Sequence, residues 1–174
     1  NITASGVVDV HALAASDSSG VVQSTFFSIG YSQATASATV DVHTGVVIDA
    51  AEAVSILSKA DTTAELKTTT VPLLPAGLPL SFSLAVTNTD QTAHTTVASG
   101  ATIKSGTIVN IRALGDNASA AEAKSGVFPD GTSGTAFGVE LSKADIKTTV
   151  NGTVEALAGD ATTEIYFNPD ETDP

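Results

Sequence analysis

The sequence predicts an all-β protein, and three observations support this prediction. Apolar and polar residues alternate with a period of two in many segments, among them residues 8–11, 38–43, 54–56, 109–112 and 137–141. Such alternation is typical of strands with one buried face. The apolar residues, 42% of the 174, are mostly Ala and Val, which suits closely stacked strands. Finally, one strand-turn-strand unit recurs along the chain.

The recurrence is clearest over a shift of 55 residues. Residues 29–61 align with residues 84–116 without a gap, and seven of the 33 positions are identical. These positions keep the phase of the strands, and one of them is the turn glycine Gly45/Gly100. A third, less regular copy begins at Phe137, and residues 8–13 resemble residues 109–114. We therefore expect one domain over residues 1–167, with copies near 26–70, 80–125 and 135–167.

A unit of short strands cannot bury its apolar face alone and must stack on its neighbours. Coiling such units around an axis gives a β-solenoid, with Val, Ile and Ala inside and Ser, Thr, Asp and Lys outside. At roughly 20 residues per coil the chain would make about eight coils, a rod on the order of 40 Å long.

Two regions interrupt the repeat. Residues 71–80 contain Pro72, Pro75 and Pro79, which predict a connection between copies because proline breaks strand ladders. Its leucines predict either a loop that caps the core or a contact surface for a neighbouring subunit. Residues 168–174 form an acidic tail.

The repeats resemble those of very large secreted bacterial surface proteins, the adhesin-like and haemagglutinin-like β-helix proteins. Residues 95–111 follow the pattern of that family, a strand, then S-G-A-x-I, a small turn and V-x-I. Residues 38–56 follow it too but depart at Ala50-Ala51-Glu52, where the family usually has glycines. The resemblance covers about two thirds of the chain. It implies a right-handed parallel β-helix used as a stalk or adhesive surface, and no catalytic residues.

A weaker resemblance suggests an alternative fold. Residues 1–10 look like the N-terminal donor strand of a fimbrial subunit, which completes the β-sandwich of the next subunit. The usual C-terminal strand of chaperone-assembled pilins is missing. The alternative is thus a pilin-like sandwich with donor-strand exchange, acting as a self-polymerising fibre subunit.

Charge and composition narrow the classes of partner. The net charge of −12 disfavours nucleic acid and anionic membranes, and no stretch has the length of a membrane span. The absence of Cys excludes disulfides and cysteine-based metal sites. We expect an extracellular, cell-surface location. The expected partners are further copies of the chain or flanking repeats, with surface glycans as another candidate. Three N-x-S/T sequons begin at Asn1, Asn117 and Asn151.

Candidate sites are few. Asp9 and His11 are two residues apart, as are Asp41 and His43, so each pair lies on one face of a strand. Two such strands side by side could hold a divalent metal ion. Solvent-exposed pairs that arise from the sequence repeat explain the pattern better. No cofactor is expected, but scattered outward carboxylates could bind calcium. As subunit-interface residues we predict the apolar side chains of the N-terminal strand and of the proline-rich connection: Ile2, Val8, Val10, Leu73, Leu74 and Leu78.

Enzymatic activity is not expected. Polysaccharide lyases on β-helices often rely on arginine, and this chain has only Arg112. Sugar clefts usually use aromatic platforms, whereas here Trp is absent and the tyrosines are Tyr31 and Tyr166. A carbohydrate-binding or polysaccharide-active β-helix remains an alternative function, since 19 acidic residues could supply a carboxylate pair.

Overall fold

The computed structural model describes residues 1–71, 81–126 and 134–157, together with the backbone of residues 161–169. All regular structure in these residues is β-strand, which confirms the all-β prediction. The strands are β1 Ile2–Ala4, β2 Val8–Ser24, β3 Phe27–Val42, β4 Val47–Ala50, β5 Val54–Thr70, β6 Phe82–Val97, β7 Thr102–Ser105, β8 Val109–Ser125, β9 Thr135–Val150, β10 Thr153–Ala156 and β11 Ala161–Pro169.

The strands form three sheets in which every described pair is parallel. The first long sheet has the order β11-β8-β5-β2, the second long sheet β3-β6-β9, and the short sheet β1-β4-β7-β10. The chain visits the first long, second long and short sheets in turn and then returns to the first. Parallel pairing differs from the antiparallel pairing of the sandwich that we considered as the alternative fold.

The register of the sheets reproduces the 55-residue shift. Val54 pairs with Val109, Ile48 with Ile103 and Ala38 with Ala93. Between the first two passages the separation is shorter, since Val8 pairs with Val54. The expected coil of roughly 20 residues is therefore wrong: a full passage takes 46 to 55 residues. The long strands account for the difference in coil length, because one strand of 17 residues alone extends about 55 Å. The stack is correspondingly low: four strands side by side span only about 14 Å.

Glycine turns separate the second long sheet from the short sheet. Gly45 and Gly100 lie at equivalent positions and have φ of 78° and 80°, a region that favours glycine. In each turn a backbone N–H closes back on the carbonyl three residues earlier, Val46 on His43 and Ala101 on Ala98. Positive φ at the third residue is what such a type II turn requires.

The interior between the sheets changes character along the long strands. Next to the short sheet it consists of Val and Ile side chains such as Val54, Ile56 and Ile103, all fully buried. Small alanines, including Ala60 and Ala93, follow. Farther from the short sheet the buried side chains are mostly hydroxyls. We call these regions the near end, the middle and the far end of the long strands.

Hydroxyl pairs link the two long sheets at the far end. Thr68 and Ser83 lie 2.8 Å apart, and Thr87 and Ser119 lie 2.6 Å apart. In the middle, Gln91 is fully buried. The surrounding acceptors assign the orientation of its amide, in which the nitrogen donates to the carbonyl oxygens of Ala60 (3.2 Å) and Asp116 (2.8 Å). The polar interior is thus largely satisfied internally, as burial requires.

Candidate functional site: the outer face of the second long sheet

The residues predicted as a metal site are not brought together. Asp9 and His11 lie on the exposed side of β2, in the first long sheet. Asp41 lies near the end of β3 in the second long sheet, and His43 is in the turn that follows. Within residues 1–71, 81–126 and 134–157, no three His, Cys, Asp or Glu side chains form a group that could hold a metal ion.

The predicted interface residues of the N-terminal strand lie in different environments. Ile2 pairs with Ile48 in the short sheet and is partly exposed, Val8 is buried in the Val/Ile core, and Val10 packs against that core. Since β2 pairs with β5 along its full length, residues 8–10 are part of the fold rather than a free donor strand. Leu73, Leu74 and Leu78 lie outside the described residues.

The three sequons also differ in environment. Asn117 is buried, with its Oδ1 accepting from Thr62 Oγ1 and its Nδ2 donating to Ser142 Oγ, so its amide is inaccessible to a glycosylating enzyme in the folded chain. Asn1 and Asn151 are exposed. The sequence triplet alone could not make this distinction.

Several charged side chains on the first long sheet form exposed ion pairs. Glu122 contacts both Lys124 and Lys67. The hydrogen bond from Lys124 lowers the pKa of Glu122 below its usual value, and the charges of Lys124 and Lys67 act in the same direction. This arrangement is typical of a solvated charged face.

The most unusual feature is the outer face of the second long sheet at its far end. Phe27, Tyr31 and Phe137 point outward there and are 59%, 58% and 52% exposed. The rings of Phe27 and Phe82 stack with centroids 5.0 Å apart. We call the outward apolar residues of this region the apolar patch: Phe27, Ile29 and Tyr31 on β3, Phe82, Leu84 and Val86 on β6, and Phe137, Val139 and Leu141 on β9. Across the strands, Ile29, Leu84 and Phe137 form one row and Tyr31, Val86 and Val139 the next, while Leu141 lies in the row of Gln33 and Asn88.

The inner positions behind the patch have the opposite chemistry. Ser28, Gly30 and Ser32 of β3 face the interior, as do Ser83 and Thr87 of β6. Gly30 allows close packing, since a Cβ there would lie 2.9 Å from a methyl of Leu66. At the far end, the large apolar side chains of this sheet are thus outside, and the small or polar ones are inside.

The sequence analysis did not predict this outward apolar patch. Period-two alternation predicts a strand with two unlike faces, but it does not say which face is inward. The expectation that Ser and Thr face outward is correct at the near end of β3 and wrong in residues 27–33, where Ser28 and Ser32 face inward. The available signal was the phase: in β3 the apolar set changes from odd positions (Phe27, Ile29, Tyr31) to even positions (Val40, Val42).

The strands at the stack ends have one unpaired edge within the described residues. β2 pairs only with β5, and β3 only with β6. In β2 the even residues bond to β5, as Val8 N–H to Ala53 O shows. In parallel strands the odd residues then direct their N–H and C=O groups to the free edge. Unpaired edges of this length are templates for pairing with another strand.

Among the described residues, no helix is long and apolar enough to cross a membrane. Comparison with protein-family models, with curated proteins and with solved structures finds no match to this chain.

Proposed function

We propose that this chain is a non-catalytic structural and adhesive module of an extracellular surface filament or giant adhesin. We further propose that its stacked parallel sheets form a right-handed β-solenoid. The observation that supports this most directly is the repeated return of the chain to the same three sheets, with each strand in parallel register with its counterpart in the next passage. Backbone hydrogen bonds then run along the stack, and each repeat contacts mainly its neighbours, as in other repeat proteins.

The strand edges that have no partner among the described residues support a role in assembly. The edge strands β2 and β3 are 17 and 16 residues long, and β9 at the opposite end of the second long sheet also has 16 residues. A further repeat, or a second copy of the chain, can continue the stack by pairing with them. Head-to-tail contact of this kind does not close on itself and extends into a filament. The same observation favours the second candidate, a self-polymerising fibre subunit.

The charge of the chain fits a surface location. A net charge of −12 keeps an extended assembly soluble and attracts divalent cations, including calcium. With no Cys or Met, the chain offers no side chain of the types most easily oxidised outside the cell.

Electron microscopy of the purified chain over a range of concentrations, with and without calcium, tests the assembly role. We expect filaments whose diffraction shows the roughly 4.8 Å strand spacing along the axis. The control is A15P/S37P, which places proline at edge positions whose N–H groups point away from the stack. This variant should keep its β-sheet circular dichroism and lose the filaments. A wild type that remains single particles under all conditions would contradict self-stacking.

Adhesion needs its own measurement. Beads coated with the chain should be retained under flow on glycan-coated or cell-coated surfaces more strongly than beads coated with an unrelated acidic protein. Equal retention would contradict the adhesive role. Turnover of a panel of polysaccharides by the purified chain would contradict the non-catalytic role and favour the carbohydrate-active alternative.

A further inference from the structure

The chain carries a second surface for association, distinct from the edges of the stack. We infer that the apolar patch on the second long sheet is a lateral interface, and that it packs against the same patch of a second copy of this chain. The contact would be face to face and two-fold symmetric, with the two outer sheet faces about 10 Å apart, as in sheet packing generally.

The size of the patch supports an interface. Six of its residues are each about half exposed: Phe27, Ile29, Tyr31, Phe137, Val139 and Leu141. The aromatic side chains have areas of about 150–250 Å² and the aliphatic ones somewhat less, so half exposure leaves on the order of 100 Å² per residue, or about 600 Å² together. That area is at the upper end for the largest patch of a monomer and approaches the roughly 800 Å² per partner of a standard protein interface.

Folding of the single chain does not account for the placement of these side chains. The outward Phe27, Ile29 and Tyr31 alternate with inward Ser28, Gly30 and Ser32. The hydrophobic effect within one chain would favour the opposite phase. A second surface that covers the patch removes this discrepancy, because the outward apolar side chains are then also withdrawn from water.

The charge distribution favours a second copy as the occupant. Two chains of net charge −12 repel each other, and this repulsion is weakest where the contacting surfaces carry no charge. The rows of the patch contain no charged residue, and in the row beyond it Lys143 Nζ lies 3.6 Å from Asp90 Oδ2, so its charges compensate within the chain. An apolar surface is complementary to itself, as a two-fold contact requires.

The surface of the patch is not flat, so two copies could interdigitate their side chains. At its edge a pocket of about 330 Å³ is lined by Phe26, Phe27 and Phe82, with Ser81 and Thr135 completing its wall. Aromatic side chains set in pockets are the usual centres of binding energy in protein interfaces. Tyr31 Oη donates to Gln33 Oε1 and accepts from Asn88 Nδ2, which gives the opposite side of the patch a polar rim.

Sedimentation measured over a wide concentration range tests the proposal. We expect the wild type to dimerise, more strongly at high salt because salt screens the repulsion between acidic chains. I29K/F137K places two charges in the patch and should raise the dimer dissociation constant by at least about tenfold. The matched control is L13K/V21K, since both residues are apolar and 69% exposed on the outer face of the first long sheet. It should dimerise like the wild type.

A cross-linking experiment removes the dependence on charged substitutions. The chain has no cysteine, so L84C carries a single thiol in the central strand of the patch. Mild oxidation should give covalent dimers of L84C and not of L13C. All comparisons are repeated in the A15P/S37P background, where end-to-end stacking is blocked. A loss of dimers in this background then reports on the lateral contact alone, whereas a loss of filaments in the wild-type background reports on the proposed filament role.

Three results would overturn the inference. One is a wild type that stays monomeric at all concentrations and salts. Another is a dimer that I29K/F137K leaves intact while circular dichroism shows the variant folded. The third is a monomer whose retention on an insoluble polysaccharide is lost in I29K/F137K and kept in L13K/V21K, which would make the patch a glycan-binding surface instead.

Discussion

The near and far ends of the long strands bury opposite kinds of side chain, although they belong to the same strands. The near end encloses Val54, Ile56 and Ile103 and leaves polar residues outside. At the far end, hydroxyl pairs such as Thr68–Ser83 lie inside, and the second long sheet has Phe27 and Phe137 outside. We infer that the near end mainly stabilises the fold and that the far end presents the proposed surface for association.

The largest effect is expected in the near-end core. Ile56→Ala should lower the free energy of unfolding by about 2–5 kcal/mol, because Ile56 is fully buried and alanine leaves a cavity. Chemical denaturation followed by circular dichroism measures this loss. The control Ile2→Ala, at a partly exposed position of the short sheet, should cost about 1 kcal/mol or less. Similar losses in the two variants would break the distinction between core and periphery.

A somewhat smaller effect is expected in the middle of the strands. Gln91→Ala removes the hydrogen bonds from the buried amide to the carbonyl oxygens of Ala60 and Asp116 and empties its site, which should cost about 1–3 kcal/mol. The same denaturation experiment applies. Gln91→Glu keeps the size but cannot donate when ionised, so it should be at least as destabilising and should recover partly at low pH. A neutral result for both would mean that the amide does not bridge the sheets.

At the far end, single substitutions should matter less. Thr68→Val or Ser83→Ala leaves one buried hydroxyl without its partner and should cost about 1–2 kcal/mol. The double variant should cost less than the sum of the two, because neither hydroxyl is then left unpaired. A double-mutant cycle measures the coupling. Simple additivity would show that the pair does not interact.

The smallest effect concerns the charged outer face of the first long sheet. The folded-state pKa of Glu122 is lowered, chiefly by Lys124, so its contribution to stability is present above its unfolded pKa. That contribution is lost as the pH falls through the folded pKa. Denaturation midpoints of the wild type and Glu122→Gln should differ slightly at neutral pH and converge in acid. A difference that grows as the pH falls would contradict the assigned direction of the pKa change.

The strands, the repeat and the turn glycines were predictable from the sequence because each leaves a local or periodic signal. Residues 117–124 show a limit of local signals: their Ala, Glu and Lys favour a helix intrinsically, yet they form strand within β8 because β5 provides a parallel ladder for them.

The coil length and the apolar patch were not predictable by the same reasoning. The expected coil of 20 residues assumed short strands. The actual coil length depends on how many residues each long strand contains before the chain turns. Alternation predicts two faces but not their orientation, so nothing in residues 27–33 taken alone says that Phe27 is outside. That placement depends on how β3 packs against β2 and β5.

The most direct test of the central claim, the parallel stack with a 55-residue register, is a disulfide between neighbouring strands. Thr63 and Ala118 are paired in β5 and β8, so T63C/A118C should oxidise readily to an intramolecular disulfide. In the control T63C/A120C the second cysteine is displaced by two residues along β8, about 8 Å away, which is too far for a disulfide without distortion. Rapid closure in the first variant alone would support the stack; equal closure in both, or closure only in the control, would contradict it.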